Sequence, residues 1–110
     1  MEFNEYQERC MKTAIYPELL GNNVVYPVLA LCGESGEVAE KLKKILRDKA
    51  GKISDDDKVE LKKELGDVLW YLAAISKELD IRLDEVAQAN IAKVESRKQR
   101  NTTHGNGDNR

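Results

Sequence analysis

A chain of 110 residues has room for one domain with one core. Its residues are 41% hydrophobic and 35% charged, enough for a core under a heavily charged surface, and a formal net charge of −2 argues against general nucleic-acid binding, which needs a basic face to displace counterions. The longest apolar run, Val24 to Cys32, is broken by Tyr26 and Pro27 and is too short to cross a bilayer, and the acidic N-terminus is unlike a targeting peptide. The expected setting is therefore the cytoplasm, with no membrane and no nucleic-acid partner. Cys10 and Cys32 have no zinc-type spacing and read as reduced core thiols.

In chain order, a first helix is expected over about residues 4–15, with Asn4 as its cap and Gln7 reaching back as in a capping box. "YPELLGNNVVYP" reads as a loop with room for a short helical turn. A second helix is expected over about 28–49, after Pro27, with Leu31, Ser35, Val38, Leu42 and Ile45 as its inward stripe. Gly51 ends it, and Ser54 is the candidate cap of a third helix over about 55–79. In that helix Leu61, Leu65, Val68, Leu72, Ile75 and Leu79 keep the helical period, while Leu69, Trp70 and Ala73 widen the apolar surface. A helix apolar on more than one side is buried on more than one side, which in so short a chain points to a second subunit. A fourth helix over about 83–98 sets Leu83, Val86, Asn90, Val94 and Arg97 on one line. The expected fold is all-α and four-helix bundle-like, as one domain over 1–100 with a polar tail over 101–110.

Four acids carry the chemistry. Glu34 and Glu37 lie three residues apart on the second helix, and Glu64 and Asp67 three apart on the third, so each pair shares a helix side. The short turn makes the two helices antiparallel, and residues equidistant from it face each other: Glu34 with Asp67, Glu37 with Glu64. Four carboxylates at one height on helices about 8–10 Å apart repel unless a cation intervenes. Hard divalent ions take oxygen ligands, and magnesium shares substrate phosphates, so Glu34, Glu37, Glu64 and Asp67 are candidate ligands for magnesium, with manganese as the alternative. A ferritin-like di-iron site would need Glu-x-x-His pairs, and the one histidine, His104, is in the tail. Against the site stands the plain reading of these acids as solvated surface charge.

Other residues share these faces. Lys41 and Lys44 continue the Glu34/Glu37 line, placed either to neutralise a polyphosphate or to pair with nearby acids. Tyr71, one turn beyond Asp67, is either a hydroxyl donor to phosphate or sugar or a half-buried core aromatic. Asn90 interrupts the inward line of the fourth helix, where a buried amide needs a partner or a ligand, and Lys93 and Arg97 extend from it. Glu78 is expected on the face opposite the acids and dispensable for turnover.

"GESGEVAEKLKK" followed by "KELGDVLWYLAAI" resembles the MazG family of all-α nucleoside triphosphate pyrophosphohydrolases, recognised by a Glu-Glu-x-x-Glu element and a Glu-x-x-Asp element. Glu34 and Glu37 match the last two acids of the first element, Glu64 and Asp67 the second, and "NIAKVESRKQR" is similar to a closing Asn-x-x-Lys-x-x-x-Arg on Asn90, Lys93 and Arg97. Gly33 stands where many members carry the first Glu, which puts the number of metals in doubt. The resemblance implies hydrolysis of a nucleoside or deoxynucleoside triphosphate between its α and β phosphates, giving a monophosphate and pyrophosphate. It further implies a magnesium-oriented water, Glu34 or Glu37 as general base, phosphate held by Lys41, Lys44, Tyr71, Asn90, Lys93 and Arg97, and a homodimer or homotetramer, in some members clearing damaged nucleotides. Two readings compete: a phosphoribosyl-ATP pyrophosphohydrolase-like enzyme on the same fold, and a non-catalytic helical interaction or regulatory dimer.

Overall fold

The computed structural model describes residues 1–110 as four helices, α1 (Phe3–Met11), α2 (Val25–Lys49), α3 (Asp55–Glu78) and α4 (Leu83–Gln99), with no strand. The expected all-α class holds. Boundaries shift by about a turn at most, and the two larger shifts have local causes. α1 stops at Met11, not near residue 15: the Thr13 hydroxyl donates to the Cys10 carbonyl at 3.0 Å, and the backbone closes over it in three-residue steps. Pro17 downstream also denies the helix a donor and bars Tyr16 from helical backbone. α2 starts at Val25, three residues before the expected start, because Pro27 sits in its first turn, where an amide hydrogen has no partner anyway. α3 ends one residue early and α4 one residue late.

The loop ahead of α2 contains no helical turn. Leu19 and Asn22 exchange backbone hydrogen bonds at 3.2 and 3.0 Å around Leu20 and Gly21, both at positive φ (54° and 70°), which is the twist of a two-residue hairpin. The α2–α3 turn follows the expectation more closely. Ala50 takes the left-handed cap, Gly51 follows at φ 78°, and Ser54 caps α3. The Ser54 hydroxyl accepts from the Asp57 amide at 3.1 Å, and the Asp57 carboxylate accepts from the Ser54 amide at 2.9 Å. Lys49 Nζ reaches the same carboxylate at 2.7 Å and ties the end of α2 to the start of α3.

Asn4 and Gln7 do not cap α1. Both lie inside it, and both serve α4 instead. Gln7 Nε2 donates to the carbonyls of Ala73 (3.2 Å) and Ile81 (3.0 Å), and its Oε1 accepts from the Leu83 amide at 3.0 Å. Asn4 Oδ1 accepts from the Asp84 amide at 3.1 Å. The first amides of α4, whose own cap residue Arg82 offers no side-chain acceptor, are thus satisfied from a helix some eighty residues away. Beside this knot lies the small core of Cys10, Ala73 and Leu83, with Tyr6, Met11 and Trp70 packed against it.

Away from that end the protomer is open. Among the helices α2 packs on α3 alone, and α4 packs on α1 and α3. The radius of gyration is 16.9 Å, against about 13 Å for a compact chain of this length. The expectation that Leu69, Trp70 and Ala73 need a second subunit is corrected: Ala73 is fully buried and Trp70 half-buried beneath α1 of the same chain. The uncovered face carries other leucines, with Leu65 55% and Leu79 53% exposed. Cys10 is buried, but Cys32 is exposed on α2 and is no core thiol; both are free.

Candidate active site

α2 and α3 meet along two stripes stepping by four and three residues. On α2 the covered positions are Pro27, Leu31, Glu34, Val38, Lys41 and Ile45; on α3 they are Asp57, Leu61, Glu64, Val68, Tyr71 and Ile75. The α2 stripe therefore runs through Glu34 and Lys41, not through Ser35 and Leu42, which face outward. A purely apolar reading of the period missed this because the seam gives up two apolar places on each helix to polar side chains. Glu34, Lys41 and Glu64 of the seam, with the exposed Asp67 beside them, form the candidate site.

Oxygens of Glu34, Glu64 and Asp67 all lie within 4.8 Å of one another. Glu37, one turn along α2 on the exposed side, is not within that distance of all three, so the expected set of four comes together as three plus a neighbour. Its charge still reaches Glu34. Partial burial, followed by repulsion from Asp67, Glu64 and Glu37, pushes the Glu34 carboxyl above its ordinary range. Lys41 Nζ stands 3.3 Å from Glu64 and 3.8 Å from Glu60. It offsets one charge and leaves the rest of the cluster in excess. Lys44 lies further along α2, lining with Lys41 and Lys49 a groove of about 200 Å³ whose opposite charges are Asp48, Asp57 and Glu60.

Tyr71 is half-buried beside the acids. Burial, then the neighbouring Tyr26, Glu34 and Asp67, push its hydroxyl up, so it stays a protonated donor. It belongs to an aromatic group that the sequence reading did not assemble. Trp70 meets Tyr71 edge-on at 5.0 Å and Tyr16 edge-on at 6.3 Å, and Tyr16 stacks parallel to Tyr26 at 6.2 Å. Two Tyr-Pro dipeptides bracketing the loop were the available signal. The Tyr16 hydroxyl also donates to Glu78 at 2.6 Å, so Glu78 anchors the loop; eleven residues and about three turns beyond Asp67, it lies on the same side of α3 as the acids, not on the opposite face as expected.

α4 is brought elsewhere. Asn90, expected on the inward line, is exposed, as are Val86 and Val94. Lys93 and Arg97 face the tail: Lys93 Nζ lies 3.3 Å from Asp108 Oδ1, and the buried Arg97 donates through Nη2 to the Asp108 carbonyl at 2.6 Å. α4 makes no helix contact with α2, so these cations and Glu34 stand on separate parts of the protomer.

Residues 27–101 match the family model of the MazG nucleotide pyrophosphohydrolase domain. The chain belongs to this family. "Gene 37 protein" of Mycobacterium phage L5 is 44% identical over 114 residues, with both chains covered in full. No solved structure matches. The MazG match spans all four acids, Lys41, Lys44, Tyr71 and the α4 motif, and stops at Asn101, leaving the rest of the tail outside it. Membership supports nucleotide pyrophosphohydrolase activity in general terms and, for a family typically dependent on divalent metal, gives the acidic cluster a use. The donor set fits such an ion: three carboxylates, no nitrogen or sulfur, with uncompensated negative charge. At Gly33, where many MazG members carry a further Glu, an added Cβ would meet nothing within 4 Å, so the missing acid is not excluded by space. No helix is long and apolar enough to cross a membrane.

Proposed function

We propose that this MazG chain hydrolyses nucleoside or deoxynucleoside triphosphates between the α and β phosphates, releasing a monophosphate and pyrophosphate, as a cytoplasmic enzyme of nucleotide-pool sanitation. The observation that carries the reading is the convergence of Glu34, Glu64 and Asp67 with their charge largely uncompensated. These three, with Glu37 alongside, would hold magnesium, or manganese; when bound, the ion supplies charge neutralisation and Lewis-acid polarisation of the phosphate oxygens.

The chain's own groups do the rest. Glu34 or Glu37 takes the proton of the attacking water; Glu37 lies outside the tight triad, Glu34 within it. As the water oxygen bonds to the α phosphorus, the bond to the bridging oxygen breaks and pyrophosphate leaves. Lys41 and Lys44 face the polyphosphate from α2, and the protonated Tyr71 hydroxyl donates to phosphate or sugar. Asn90, Lys93 and Arg97 are assigned to phosphate on the strength of the family motif.

A second copy of the chain supports this geometry. Leu42, Leu46, Leu65 and Leu72 lie exposed on α2 and α3, more apolar surface than a lone protomer of this size normally leaves in water, so a homodimer or homotetramer is the working form. The test is a panel of ribo- and deoxyribonucleoside triphosphates with magnesium, followed by phosphorus NMR. Pyrophosphate and monophosphate as the first products are expected. Orthophosphate first would overturn the bond assignment, and no turnover of any nucleotide would overturn the enzyme.

A further inference from the structure

The tail holds its own charge against the two cations of α4. One carboxylate oxygen, Asp108 Oδ1, lies 3.3 Å from both Lys93 Nζ and Arg97 Nη2, bridging them as a phosphate oxygen would. Arg97 Nη2 also donates to the carbonyl of Asp108 at 2.6 Å and more weakly to that of Gly107 at 3.5 Å. Yet its Nε is buried with no partner, so the guanidinium fork is only half used. Arg110 closes the tail on itself, donating to the carbonyls of Thr102, Thr103 and Gly107, while Arg100 donates to the Arg110 carbonyl. The result is a preformed loop that presents one acid. The Asp108 side chain is 80% exposed, so its carboxylate contact can exchange with another anion, and the tail's two backbone bonds to Arg97 open when that anion reaches the guanidinium.

We propose that residues 101–110 are an internal competitor for phosphate, with Asp108 seated on Lys93 and Arg97 and displaced when a polyphosphate takes them. The proposal rests on the part of the functional reading that gives these two cations to phosphate. A phosphate group brings more charge and a second oxygen for the unused side of the Arg97 fork, so it outcompetes a monodentate carboxylate. Tethering keeps Asp108 at high local concentration, so the effect is a raised KM and weakened pyrophosphate binding with unchanged kcat.

The test titrates pyrophosphate calorimetrically into the full chain and its Asp108→Asn variant, with melting curves of both. Exposed ion pairs are modest, so the variant is expected to bind pyrophosphate about two- to fivefold more tightly, at an unchanged melting temperature. In a Lys93→Ala background the same change should have a smaller effect, since only Arg97 remains for Asp108 to occupy, and Asp108→Glu should keep the wild-type affinity. Equal or weaker binding by Asp108→Asn, or no binding by either protein, overturns the proposal; weaker binding with a lowered melting temperature would make the tail a clasp that shapes Arg97. The readout is independent of turnover: the expected pattern in a chain that hydrolyses nothing would leave the competitor standing and sink the reaction.

Discussion

Two polar centres lie at opposite extremes of satisfaction, one around Gln7 and one around Glu34. Gln7 is buried, and its amide makes three hydrogen bonds to α3, the α3–α4 loop and the first turn of α4. Glu34 is half-covered in the α2–α3 seam, with two carboxylates close by and a third a turn away, and its carboxyl is pushed upward by burial first and then by all three. Both centres interrupt an apolar face. The first holds the fold together because its donors and acceptors close on one another; the second gathers like charge, which a ligand of opposite charge would relieve. The two centres thus differ in how far their polar groups are satisfied by partners within the chain.

That contrast is broken most sharply by removing charge from the open centre. Glu34→Gln is expected to lower turnover by at least about a hundredfold, since metal-supported electrostatics supply several kcal/mol of barrier reduction, while the melting temperature without metal holds or rises. Steady-state rates and thermal melts check both halves, and a destabilised, active variant would reverse the assignment. Glu8→Gln, exposed on α1, is the neutral control in place of Glu78. At the closed centre the signs invert. Gln7→Ala leaves two carbonyls and one amide without their partner and is expected to cost about 2–3 kcal/mol in denaturant unfolding, with kcat of the folded fraction unchanged.

Smaller effects sharpen the picture at the α2–α3 turn. Ser54→Ala removes the cap of α3 and is expected to cost about 1 kcal/mol. Hydrogen bonds from Lys49 and then Ser54 hold the Asp57 carboxyl down at about 2. A depressed acid stabilises the fold above its unfolded value, near 4, and loses that contribution as pH falls through 2; melts of wild type and Asp57→Asn should therefore converge over this window, with Asp57→Asn the less stable at neutral pH. The smallest effect is a thiol count. Cys32 should react in the native protomer and Cys10 should not; protection of Cys32 that is lost on dilution would place the subunit interface on the exposed side of α2.

Much of the fold was legible because helices obey local rules: a period near 3.6, a left-handed residue after α2, a Ser ahead of three acids. The matched spacing of Glu34 and Glu37 against Glu64 and Asp67 brought three of the four acids together in a hairpin, with Glu37 to one side, since a short turn leaves two helices little choice but to run antiparallel. The MazG motif named the chemistry. Tertiary structure alone decided which helix Asn4 and Gln7 would serve, because a side-chain amide satisfies near and distant backbone equally well and local sequence cannot rank them. It also decided that Glu34 and Lys41 would occupy the seam in place of Ser35 and Leu42, a rotation of α2 set by the facing surface of α3. Finally, it turned Lys93 and Arg97 toward the tail, where an acid beyond the end of α4 found them by charge, an attraction that carries no periodicity for a sequence to display.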